Sequence, residues 1–108
     1  MKQSKAPQHL SKQAQAWWST IESDYVLTEH QKLLLSECAT AWDRSQQARR
    51  CLEQDGLMLT ASSGRPMTHP AVAVERDARL AFVRILRELA LDAGPAEARP
   101  PYLAYGGK

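Results

Sequence analysis

The stretch TEHQKLLLSECATAWDRSQQARRCLEQDG, residues 28–56, decides the fold. Thr28 followed three positions later by Gln31 has the spacing of a capping box, in which two side chains satisfy each other's backbone amides. Gly56 after Asp55 marks the far end, because glycine takes the left-handed conformation of a helix stop at no steric cost. Between these signals Leu34, Cys38, Ala41, Ala48 and Leu52 recur in alternating steps of four and three, with Ser45 filling the one gap. At about 100° per residue they form one apolar stripe, which Leu35 and Trp42 widen on one side. The pattern predicts one long central helix and a mainly α fold.

Upstream, Ser11 is a plausible N-cap for a first helix over residues 11–23. Ala14, Trp17, Trp18 and Ile21 fall within one wide stripe, extended by Leu10 and Tyr25. Trp17 and Trp18 lie about 100° apart, so one buried face accommodates both, in the core or against another subunit. Residues 1–9 are polar and contain Pro7, and residues 1–10 read as a flexible arm. Lys2, Lys5 and Lys12 all precede the first acid, Glu22, so this arm is locally cationic. It is either a solvated tail or a segment that tracks DNA by releasing counterions from phosphates.

Downstream, residues 57–70 read as a small β-hairpin or an ordered loop, with Ser63-Gly64 at the turn and Pro66 confined to an edge. A third helix is expected from Pro70 to Leu91, with proline suited to its first turn. Ala71, Val74, Ala78, Ala81, Phe82, Ile85 and Leu89 mark its apolar face, with Leu86 at the margin. Arg76, Arg79, Arg84 and Arg87 spread over roughly 140° of the other side. Leu80 and Val83 stand among them, which suggests contact with a neighbouring subunit or with DNA as well as the plain reading of an amphipathic helix. Arg44, Arg49 and Arg50 point in different directions and read as solvated charges, as do Glu37, Asp43 and Glu53. Residues 92–108 hold Pro95, Pro100, Pro101, Gly106 and Gly107 and read as a flexible tail, with Tyr102, Leu103 and Tyr105 as a short docking motif.

Taken together this is a three-helix core over residues 11–91 that also serves oligomerisation, between the arm and the tail. With 108 residues there is room for one domain. A chain of this size buries roughly 60–70% of its unfolded surface, so oligomerisation is a natural support. Its net charge of +2 is too small to imply nucleic acid alone. Cys38 and Cys51 lie 13 positions apart on one helix, roughly 20 Å, and cannot pair within the chain. Both read as small buried hydrophobes in a reduced cytoplasm. No apolar run approaches the ~20 residues of a membrane span and no signal-peptide pattern opens the chain. His9, His30 and His69 are isolated, and metal-ligand spacings, phosphate-binding glycine loops and dinucleotide fingerprints are absent. No metal, no cofactor and no enzymatic activity are expected.

Several pieces in order carry a resemblance. Trp18 and Ile21 precede Tyr25, and ValLeuThr at 26–28 leads into the long helix. AlaTrpAspArg at 41–44, AlaArgArgCysLeu at 48–52 and AspGly at 55–56 follow, then the glycine-containing hairpin, His69-Pro70 and LeuArgGluLeuAlaLeu at 86–91. Residues 17–91 resemble the small terminase subunits of tailed phages and prophages, of the short helical type. The resemblance implies a non-catalytic DNA-packaging component. Such subunits assemble into homo-oligomeric rings, engage double-stranded viral DNA and recruit the large subunit, which carries the ATPase and nuclease. On this reading Lys2, Lys5, Lys12, Arg76, Arg79 and Arg87 are the candidate DNA contacts. Trp17, Trp18, Leu80 and Val83 are the candidate oligomer contacts, and Tyr102, Leu103 and Tyr105 the candidate docking residues. The family's closing leucine segment usually carries a glycine where Ala90 stands here. No separate helix-turn-helix domain precedes the core, which argues against sequence-specific operator reading and favours phosphate contact. The alternatives are a small DNA-binding regulator, disfavoured by few Asn or Gln on the third helix, and an adaptor acting only through protein contacts.

Overall fold

A computed structural model describes residues 4–91. Expectations placed on Lys2, Tyr102, Leu103 and Tyr105 lie outside the described residues. The order is α1 (Lys12–Asp24), α2 (Glu29–Asp55), β1 (Met58–Thr60), β2 (Pro66–Thr68) and α3 (Ala71–Leu89). The capping box of α2 is formed in both directions: the Gln31 amide donates to Thr28 Oγ1 at 3.1 Å, and the Thr28 amide donates to Gln31 Oε1 at 2.9 Å. Glu29 in the first turn complements the helix dipole. Gly56 closes the helix at φ 81°, its amide donating to the Leu52 carbonyl at 2.7 Å.

The three helices run antiparallel about α2. Trp18 of α1 meets Ser36, and Ser11 meets Asp43 further along. On α3, Phe82 lies opposite Cys38 and Glu75 opposite Arg49. The core gathers Leu10, Ala14, Trp18, Leu35, Cys38, Ala39 and Leu89, with Trp17, Ile21, Leu34, Trp42, Phe82 and Ile85 packed around it. The centre of the α2 stripe is thus Leu35 to Ala39 rather than Leu34, because α2 is covered from two sides. α1 is about 20 Å long against about 40 Å for α2, so among the described residues the second half of α2 packs mainly on α3. There the buried residues are small, Ser45, Ala48, Ala71 and Ala78, which lets the two backbones approach closely.

The hairpin is present, with β1 and β2 antiparallel and Thr60 opposite Pro66. A two-stranded sheet consists of edges only, so proline is tolerated. Gly64 at φ 90° makes the turn. His69 ties this region together. Its amide donates to the Leu57 carbonyl at 2.7 Å, and its Nδ1 accepts the Ala71 amide at 3.0 Å, capping α3 where Pro70 offers no side-chain cap. With Nδ1 accepting, the proton sits on Nε2, which donates to Asp55 at 2.9 Å.

Four expectations change. Residues 4–10 are docked rather than free: Leu10 is buried, the Ser4 amide donates to Glu22 at 3.0 Å, and His9 bonds Thr40 at 2.8 Å. The apolar Ala6 and Leu10 fall on the core and draw the segment down. Asp43 is not a solvated charge: it is buried and accepts from the Ser11 amide at 2.7 Å and the Ser11 hydroxyl at 2.6 Å. Cys51 is exposed, because it sits on the half of α2 that α1 does not reach. Cys38 is buried as expected, and burial pushes its thiol up to about 12. α3 stops at Leu89, two residues early, on the left-handed Ala90.

Candidate nucleic-acid and subunit interface

The outward face of α3 carries Leu80 and Val83, each 42% exposed. They are neighbours one turn apart, with Arg76, Arg84 and Arg87 exposed around them. An apolar centre with a cationic rim is thereby displayed to solvent. Among the described residues Arg76 is engaged only by its neighbour Asp77 at 3.3 Å. Arg79 lies at the edge of the face and bonds Glu75 at 3.2 Å, while Arg49 of α2 reaches the same carboxylate at 3.5 Å. Two guanidinium groups share one acid, leaving a positive surplus at this edge. Such exposed pairs are worth at most about 1 kcal/mol. Lys5 and Lys12 are exposed as well, at the opposite end of the sequence, and Lys5 belongs to the docked segment.

The two tryptophans separate. Trp18 is 3% exposed and donates from its indole nitrogen to Ser36 at 3.1 Å. It serves the core of its own chain, which removes it from the set of subunit contacts. Trp17 is half-buried, its ring 6.1 Å from that of Phe82 and tilted by 56°. With Gln13, Ala14, Ala39, Trp42 and Phe82 it lines a groove of about 170 Å³ where the three helices meet.

A second apolar surface was not read from the sequence. Leu57, Met58 and Met67 of the hairpin are 62, 55 and 41% exposed, and Val74 nearby is 43% exposed. The signal was present in the hairpin's apolar composition, but a two-stranded ribbon gives no indication of which side meets a helix. Among the described residues there is no cluster of three or more potential metal ligands, and no helix is long and apolar enough to cross a membrane.

A family model described as phage terminase, small subunit, matches residues 14–96. No curated protein and no solved structure matches the chain. The matched span takes in α1 from Ala14 onward, α2, the hairpin and α3, and so includes the arginine-rimmed face of α3 and the groove apart from Gln13.

Proposed function

The chain belongs to the phage terminase small-subunit family, and from that premise we propose that it is a ring-forming, DNA-engaging component that recruits and regulates the large ATPase and nuclease subunit. Its role is in viral genome packaging, in the cytoplasm of a host bacterium, and is non-catalytic. The observation that carries this reading is the apolar pair Leu80 and Val83 set within arginines on the free face of α3. A neighbouring protomer covers Leu80 and Val83, and Trp17 contributes through the part of its ring left uncovered at the groove. A head-to-tail contact repeated by rotation closes a ring. The arginines then lie at the polar rim of the contact, where guanidinium groups remain available.

DNA is held through its phosphates. Arg76, Arg79 and Arg87 from α3 act with Lys2, Lys5 and Lys12, without base-specific reading. The tail motif Tyr102, Leu103 and Tyr105 docks on the large subunit. The double substitution Leu80→Asp/Val83→Asp tests the interface: both positions are exposed, so helicity by circular dichroism stays unchanged while the oligomer dissociates. A double variant that sediments as the same oligomer would place the interface elsewhere.

A further inference from the structure

The groove lined by Gln13, Ala14, Trp17, Ala39, Trp42 and Phe82 holds about 170 Å³ and its walls are almost wholly apolar. For scale, an engineered apolar cavity of about 150 Å³ admits a benzene ring. One aromatic or leucyl side chain therefore fills it. Two of its residues, Ala14 and Ala39, belong to the same buried cluster as Leu89, the last residue of α3. Ala90 then adopts φ 54° and ψ 39°, which ends the helix by reversing the chain, and Leu91 packs back onto the core. The chain thus leaves α3 at the cluster that floors the groove.

Seventeen residues follow Leu91. Their only aromatic residues are Tyr102 and Tyr105, and their only large aliphatic residue is Leu103. The ten residues between Leu91 and Tyr102 span up to about 33 Å when extended. Phe82 lies seven helical residues from Leu89, about 10 Å along the axis. Reach is therefore ample. Pro100 and Pro101 precede the motif in the sequence, and proline restricts the backbone of the unbound chain, which reduces the ordering entropy of docking.

We propose that Tyr102–Tyr105 seats in this groove of its own chain, with Leu103 or a tyrosine ring between Trp17, Trp42 and Phe82. The tether decides between occupants. A tether of ten residues presents the motif at an effective concentration on the order of millimolar, which a second copy in dilute solution does not match. The family match ends at residue 96, so the motif is supplied by the part of this chain beyond it. The proposal concerns the chain alone, before Trp17 meets a neighbouring protomer or the motif meets a large subunit.

The test uses the full chain. Tryptophan emission is compared between the wild type and Tyr102→Ser/Leu103→Ser/Tyr105→Ser, with circular dichroism as the control for folding. The variant is expected to shift to the red, as Trp17 and Trp42 meet water, with helicity unchanged. In the wild type, NMR cross-peaks connect the Leu103 methyls to Phe82 or Trp42 and persist on dilution. Identical emission without those cross-peaks would overturn the proposal. Cross-peaks that vanish on dilution would do so too, by making a second copy the occupant.

Discussion

Ala90 is the residue at which this chain is most visibly suboptimal. It is the one described non-glycine residue at positive φ, at 54°. An L-residue there brings Cβ against the following carbonyl, at a cost of roughly 1–2 kcal/mol, whereas glycine is free of that contact. Ala90→Gly is expected to raise stability by about 0.5–1 kcal/mol after the greater unfolded-state freedom of glycine is subtracted, as a higher denaturant midpoint at unchanged slope. Asp43 argues in the other direction. It is buried and holds both the amide and hydroxyl of Ser11, the N-cap of α1. Asp43→Ala strands these groups and is expected to destabilise the protein by about 1–3 kcal/mol, with α1 the first element to lose amide protection.

At the scale of elements, the N-terminal segment is a clasp. Ser4 and Lys32 converge on Glu22, with the Lys32 ammonium 3.4 Å from the carboxylate and 3.0 Å from the Ser4 hydroxyl. Desolvation works to raise the Glu22 pKa, but the bonds from Ser4 and the charge of Lys32 outweigh it, and the pKa falls below its ordinary 4.5. A carboxylate with a lowered folded pKa contributes stability that is present above 4.5 and lost as pH falls through the folded value. Acidification below 4.5 is therefore expected to release residues 4–10 before the helices melt, seen as loss of protection at the Ser4 amide; Glu22→Gln should release them at neutral pH. Protection unchanged in both cases would remove the clasp.

The helices were legible because their signals are local. Thr28, Gln31, Gly56 and Ser11 act on backbone groups within a turn, and the leucine and alanine spacing of α2 and α3 follows one period. The docked arm, buried Asp43 and exposed Cys51 were not legible, because each depends on where α1 lies along α2. That register is a property of packing between segments far apart in sequence. The same limit applies to the interface residues. Periodicity found Leu80 and Val83 on a charged face, but it had no means of separating Trp18, which turns into the core, from Trp17 beside it.

At the scale of the whole molecule, a helical hairpin is covered along only half its length. Exposed apolar residues lie at both ends of it and on α3: Tyr25, Val26 and Leu33 where α1 joins α2, Leu57, Met58 and Met67 at the hairpin, and Val74, Leu80 and Val83 on α3. Exposed apolar area marks candidate interaction sites, and the proposed ring covers the part of it on α3. The central claim is that the first partner is another copy of the chain. Native mass spectrometry of the purified full chain at moderate salt, with and without duplex DNA, tests it most directly. The account predicts one closed, high-order oligomer of defined subunit number. A monomer or dimer under both conditions would contradict it.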